Sequence, residues 1–385
     1  MKLTFFDHIG TADMERIHSA TIAWMISDSC EAFTLEERAR FLKALFNVEN
    51  ADIKSIRACN EYDHIDIAFI TKNSNNVEDE IWVIENKIKA PLGHDQLSKY
   101  NEIIAKFKYS KKHSLVLSLI GVLPQDDLGN WKHVTYSDLL QCLNQVCNKG
   151  EKRNRTHIII EEYRDCLQNL VNALKEFEEH PENYSEVFTD GNKSKRYKEE
   201  NNIIPKTSEK NGISIKDYIS IYGLETLFQK YYFVGIINEI SNRIKYLRCH
   251  VDETHGNADF AFHFGDMESG TDYRFDLSFQ NGTFKFAVSD VDYENSKNPR
   301  KGSKKWNELQ KWKTAFKNVQ KDNPQYRRLN GPKSRCRVSI SYNIDSDNCK
   351  WYELSRHEFV EKVVEQVEKA QKMGQQAIKY YREQV

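Results

Sequence analysis

The stretch Ile81-Trp82-Val83-Ile84-Glu85-Asn86-Lys87-Ile88 constrains the fold of this chain more than any other. Its first four residues are large, apolar and β-branched or aromatic, which reads as a buried strand. Glu, Asn and Lys then fall where the apolar run should continue. Charged side chains are almost never fully buried unless paired, so this strand end needs water or a partner. The preceding run Ile65–Thr71, IDIAFIT, is a second strand by the same criteria and carries a single acid, Asp66. The polar tract at 73–79, NSNNVED, joins the two as a hairpin loop.

Residues two apart in a strand share a face, so Glu85 and Lys87 point the same way, beside Ile81 and Val83. Asp66 shares a face with Ala68 and Ile70. A closed hairpin therefore sets Asp66 beside Glu85. Two facing carboxylates raise each other's pKa. A hard divalent cation removes that conflict, and Mg²⁺ is commonly held by one or two carboxylates with water and phosphate oxygens. A lysine alongside can hold the attacking water or steady charge on a phosphate. The set suits metal-dependent phosphodiester hydrolysis. A Glu-x-Lys pair on a strand is more often a solvated face. Here it interrupts an apolar strand opposite an acid from an equally apolar neighbour, which favours a site.

The surrounding order is helix (12–28 and 34–46), strand (53–59), the two strands above, helix (94–108), strand (114–120), short strand (134–136) and helix (157–178), with Ser137 as a cap after the short strand. This order predicts an α/β domain over 1–179, a mixed sheet flanked by helices. Residues 180–212 turn polar and read as a linker or a long surface excursion. Residues 213–385 read as an α+β domain. They hold a helical stretch at 217–247 and a hairpin in which Phe275, Leu277 and Phe279 return as Phe284, Phe286 and Val288 around Asn281-Gly282. A strand at 338–344 and a helical tail bearing Val360, Val363, Val364 and Val367 on one face complete it.

Asp66 with Glu85-Asn86-Lys87 resembles the core of the PD-(D/E)XK, or restriction-endonuclease-like, nuclease superfamily. HIDIAFI, WVIENKIKA and Gln96-Leu97-Ser98-Lys99-Tyr100 resemble a subgroup with an IDI…IENKI.A…QLxxY signature. Glu15-Arg16-Ile17-His18-Ser19 with Ala23-Trp24-Met25-Ile26 is similar to that subgroup's first helix. The resemblance covers roughly 12–140. It implies a restriction-endonuclease-like sheet and Mg²⁺, with Mn²⁺ as substitute, bound by Asp66, Glu85 and the Asn86 carbonyl. Glu15 would complete the metal shell, and Lys87 would position water or steady the transition state. Gln96 and Tyr100 would face the site and orient Lys87 or a phosphate. Tyr100 also fits the core stripe Leu97–Phe107, and Glu15 also fits a helix-start acid favoured by the macrodipole. His18 reads as a core or capping histidine. Ile65 stands where many members have proline, and the His-Gly pair frequent after the first helix is absent, since the chain reads SDSCEAFTLEE there.

The formal net charge is -1 over 385 residues, so any electrostatic case for nucleic acid must be local. One is present. Residues 297–337 carry fourteen positive charges against two negative ones. Arg300, Lys301, Lys304, Lys305, Lys311, Arg327 and Arg328 are its candidate phosphate-backbone contacts. An amphipathic helix with lysines on its wet side, docked through Trp306, Leu309, Phe316 and Val319, fits the same residues. The eight cysteines include no CxxC pair, which argues against a zinc site or disulfide framework. No apolar run is long enough for a membrane span, and MKLTFFDHIG lacks a signal peptide's apolar core. A cytoplasmic location follows as an expectation. Together these features predict a Mg²⁺-dependent deoxyribonuclease, with DNA favoured over RNA. By resemblance it serves bacterial defence against phage or foreign DNA, as a homo-oligomer or with a partner protein. The alternatives are a non-catalytic nucleic-acid or partner-binding module and an effector subunit active only within a larger complex.

Overall fold

A computed structural model describes residues 1–93, 95–147, 154–189, 212–264, 273–290, 299–331, 337–345 and 349–384. The chain divides into two compact units. Met1–Val122, Asp126–Glu176 and Lys193–Tyr231 form the first, and Leu123–Gln125, Phe177–Asn192 and Tyr232–Val385 the second.

The first unit is built on a five-stranded mixed sheet in the order β1 (Ser55–Tyr62), β2 (Ile65–Lys72), β3 (Glu78–Lys87), β4 (Lys111–Ser118), β5 (Lys132–Thr135). The β1–β2–β3 meander is antiparallel, and β3–β4–β5 is parallel. Parallel strands need a crossover, and the intervening chain supplies a helix between β3 and β4. Among the described residues, the helices of this unit begin with α1 (Phe5–His8), α2 (Glu15–Ile26) and α3 (Leu35–Phe46). They continue with α4 (Gln96–Ala105), α5 (Tyr136–Cys147) and most of α6 (Arg155–Glu179). Central strand β3 is buried from Glu80 to Asn86, so both faces are covered. Ile81 and Val83 pack with Leu97, Ile104 and Trp131 on the α4 side. On the opposite face Trp82 meets the edge of Phe46, stacks on His113 and donates to Thr71 Oγ1 at 3.2 Å.

Three expectations change here. The helix after β5 starts at Tyr136, and its cap is Thr135 rather than Ser137. Thr135 Oγ1 accepts from Asp138 N–H at 3.2 Å while the Asp138 carboxylate accepts from Thr135 N–H at 2.8 Å, a reciprocal pair that Ser137, already inside the helix, cannot form. The polar tract from 180 does not begin as a bare linker. Pro181–Tyr184 is a 3₁₀ turn and Ser185–Thr189 a short helix, α7. Tyr184 and Phe188 are buried against Phe177 in the second unit. The rest of that tract, 190–211, lies outside the described residues. The expected boundary at 213 also moves. Helix α8 (Ile215–Tyr222) belongs to the first unit, because Ile213 N–H binds the Met1 carbonyl at 2.9 Å and Tyr218 Oη binds buried Asp7 at 3.2 Å.

After α9 (Glu225–Ile240), the second unit forms a six-stranded antiparallel sheet. Its strands are β6 (Arg248–Thr254), β7 (Asn257–Phe264), β8 (Tyr273–Gln280), β9 (Thr283–Asp290), β10 (Arg327–Asn330) and β11 (Arg337–Asn343), in the order β10-β11-β9-β8-β7-β6. The β8–β9 hairpin turns at Asn281-Gly282, both with positive φ, as a type I′ turn requires. A Cβ on Gly282 would stand 2.7 Å from the Trp351 ring, so the turn needs glycine twice over. Helices α10 (Lys304–Asp322) and α11 (Arg356–Arg382) bring apolar stripes to this unit. Leu309, Trp312 and Phe316 are buried on α10, and Val360, Val363 and Val367 on α11.

Candidate active site

The β2–β3 ladder runs in register to Ile67↔Ile84. One step further, Asp66 would face Glu85. There the side chain takes over from the backbone, and Asp66 Oδ2 accepts the Asn86 N–H at 2.8 Å. The strand end is thus held open by a carboxylate, with Glu85 next to it on the same face. Glu85 is 1 % exposed. Its Oε1 lies 2.5 Å from Lys87 Nζ and accepts from Gln96 Nε2 at 2.5 Å. Its Oε2 is buried with no hydrogen-bond partner among the described residues. A buried carboxylate oxygen with no donor is costly, and a bound cation is the usual remedy.

Glu15, at the start of α2, sits at the rim. Its Oε2 accepts the Ile88 N–H at 2.9 Å and its Oε1 lies 3.7 Å from Lys87 Nζ. Among the described residues no group of three His, Cys, Asp or Glu side chains forms a ready metal cage. The donor set that fits a hard cation is therefore Asp66 and Glu85, to be filled out by backbone carbonyl and water. Gln96 Nε2 contacts Glu85 and also Tyr100 Oη at 3.1 Å, so the helix pair orients Glu85 rather than Lys87. Tyr100 serves site and core together, packing against the Leu97–Trp131 cluster.

Asn86 faces away from the acids. Its amide donates to Ser19 Oγ at 3.0 Å and to the Glu15 carbonyl at 3.2 Å, and it accepts from Tyr136 Oη at 2.8 Å. This fully satisfied, buried amide ties β3 to α2 and α5 and fixes the strand where Glu85 and Lys87 are presented. Sequence reasoning missed Ser19 and Tyr136 as the partners of Asn86. The only sequence signal was a polar residue on the face of Trp82 and Ile84. His18 is a structural histidine. It bonds Tyr163 Oη at 3.0 Å and the Ala12 carbonyl at 2.9 Å, and burial lowers its pKa to about 4.

Burial pushes Glu85 up to about 7, with Asp66 adding to the rise and Lys87 opposing it. Burial likewise raises Asp66. For Lys87 burial pulls downward, but Glu85 outweighs it and the ammonium is held above its ordinary value. Lys87 is therefore a cation and a donor at neutral pH, not a base.

A carboxyl whose pKa rises on folding, here from 4.5 to about 7, binds more protons folded than unfolded across that window. Its contribution to stability is present at low pH and is lost as pH rises through about 7. His18, lowered from 6.5 to about 4, acts in the opposite sense between those values. The difference between wild type and Glu85→Gln isolates the carboxyl. In EDTA, wild type should lose melting temperature relative to Glu85→Gln as pH goes from 5 to 8, and a parallel pair of curves would contradict this. Metal binding deprotonates the same group, so added Mn²⁺ should remove the difference.

The basic segment runs over a turn, a helix and two strands. Arg300 and Lys301 lie in the turn before the Ser303-capped α10, and Arg327 and Arg328 lie on β10. On α10, Lys305 pairs with Asp290, and Lys311 lies 3.9 Å from Glu308. The buried stripe of α10 fits the amphipathic-helix reading at Leu309, Phe316 and Val319, with Trp312 rather than Trp306 as its buried tryptophan. Lys297, Lys333 and Arg335 lie outside the described residues.

Residues 3–165, which carry the whole constellation, match a family model described as the PD-(D/E)XK nuclease superfamily. No curated protein and no solved structure matches the chain. The five-stranded mixed sheet flanked by helices is consistent with a restriction-endonuclease-like fold, and the chain adds a further sheet and helices.

Proposed function

We propose that this protein is a Mg²⁺-dependent deoxyribonuclease whose site is Asp66, Glu85 and Lys87. The observation that carries the reading is the buried Oε2 of Glu85, without a hydrogen-bond partner among the described residues, beside Asp66, whose own Oδ2 accepts the Asn86 N–H. Asp66, Glu85 and the Asn86 carbonyl would hold the cation, with Glu15 at its rim. The cation supplies Lewis-acid polarisation of the phosphodiester and a lowered pKa for bound water. Gln96 and Tyr100 fix the Glu85 rotamer, so that the carboxylate needs no reorganisation. Lys87, held protonated, donates to the attacking water and to the charge that builds on the phosphoryl oxygens. Water oxygen bonds to phosphorus as the phosphorus–oxygen bond to the leaving strand breaks, and the leaving oxygen takes up a proton. Arg300, Lys301, Lys304, Lys311 and Arg327 would contact the DNA backbone without reading sequence. A defence role against foreign DNA accords with the nuclease-superfamily match of residues 3–165.

Plasmid, linear duplex, single-stranded DNA and RNA, each offered with Mg²⁺ and with EDTA, test this. Cleavage of DNA that Mg²⁺ supports and EDTA abolishes is expected. Cleavage of RNA alone would overturn the substrate, and undiminished cleavage in EDTA would overturn the metal.

A further inference from the structure

Strand register sorts the second sheet into two faces. The row Cys249–Phe262–Leu277–Phe286–Ile340 is apolar throughout. The adjacent row His263–Asp276–Ala287–Ser339, one residue along each strand, faces the other way and is mostly polar. That second face is a bowl. Its floor is small (Ala261, Ser278, Ser289, Ser341), and longer side chains surround it, enclosing about 570 Å³. This lies within the roughly 300–1,000 Å³ typical of small-ligand sites.

The charges in the bowl are unequally engaged. Asp276 is taken by Arg337 and by Ser289 Oγ at 3.4 Å. Asp259 accepts from Thr254 at 2.8 Å, and Asp252 from the Glu253 N–H at 2.8 Å. The cations are left with capacity. Arg274 makes no ion pair among the described residues, and the Nε atoms of Arg274 and Arg337 are buried without a partner there. His263 is 7 % exposed, bonds His250 at 2.9 Å, and has a buried Nδ1 with no partner among the described residues. Burial, with His250 and the arginines adding, lowers His263 to about 3, so the histidines are neutral and the positive charge belongs to arginine and lysine. Arg328 reaches the bowl from β10, where the register shifts between Arg327 and Asn330 and its own φ is 54°. A non-glycine residue at positive φ is strained. Bulges of this kind re-aim side chains, often at functional sites.

We propose that this bowl binds a small phosphate-bearing ligand of nucleotide size. Planar guanidinium groups match phosphate oxygens two at a time, and Arg274, Arg328 and Arg337 converge from three strands on one cavity. The serine and amide groups around them suit the polar edges of such a ligand. The site is independent of the nuclease reading.

Titration calorimetry on the full chain in EDTA tests it, with pyrophosphate, the four ribonucleoside triphosphates, adenosine and a short duplex DNA as probes. Pyrophosphate or at least one triphosphate should bind while adenosine does not. Arg274→Ala should weaken that binding at least tenfold. Ser278→Phe, which fills the floor, should abolish it with the melting curve unchanged. No binding by any phosphate-bearing small molecule would overturn the proposal, as would binding that both variants leave intact. Binding of the duplex alone, lost in Arg274→Ala, would make the face a nucleic-acid surface and overturn the small-ligand assignment.

Discussion

Glu85→Gln should cleave DNA about 10³-fold more slowly than wild type and yet, in EDTA at pH 8, melt no lower. The two halves come from the same geometry. A site cation contributes several kcal/mol of transition-state stabilisation, and each ~1.4 kcal/mol lost is a factor of ten in rate. Gln keeps the size of Glu, and its carbonyl can still accept from Gln96 and Lys87, which lie 2.5 Å from Oε1 in the wild type. It no longer carries a charge that burial resists. Removing that charge relieves the metal-free fold rather than weakening it. Steady-state cleavage and a melting curve on the same preparation check both halves. Loss of activity with a large fall in melting temperature would mean that Glu85 is structural.

Trp82→Ala should have the converse effect, a loss of about 3–5 kcal/mol in the first unit, as for other large core truncations. That lowers the melting temperature by on the order of 10 °C for a unit of this size. Trp82 is fully buried, stacks on His113 at 3.9 Å between ring centroids, meets Phe46 at 5.2 Å and donates to Thr71. Its removal leaves a cavity on the face opposite the acids, where the Thr71 hydroxyl keeps only its bond to the Glu80 carbonyl at 3.5 Å. Activity per folded molecule should persist below the lowered transition, because Asp66, Glu85 and Lys87 keep their partners. Trp82→Phe, which retains the ring but not the indole N–H, should cost less. Equal losses from the two would point to the hydrogen bond rather than the packing. On the proposed function, strand β3 divides its labour, with anchorage at Ile81–Ile84 and chemistry at Glu85–Lys87.

That division was legible in the sequence because a strand's period is two and the apolar run breaks at Glu85. The pairing of Asp66 with Glu85 was legible for the same reason, since an antiparallel hairpin fixes partners once its loop is placed. The direction of Gln96 was not. Helical spacing set it over the site, but only packing decides that it touches Glu85 and not Lys87. Nor were the partners of Asn86, which come from α2 and α5, distant in sequence. In the second unit the β8–β9 hairpin was plain from its Asn-Gly turn. Strands β6 and β7 were not singled out. RCHVDET and NADFAFHF alternate, but their polar members His250, Asp252 and His263 carry meaning only once six strands are laid side by side. The fold spreads the basic segment over a turn, a helix and two strands, and Arg328 and Arg337 line the bowl, a placement that closeness in sequence does not give.

The most direct test of the central claim is anomalous diffraction from a crystal soaked in Mn²⁺. A peak between the carboxylates of Asp66 and Glu85, within bonding distance of Glu85 Oε2, is the predicted result. A well-ordered site with no peak there, or a peak held by other residues, would contradict it.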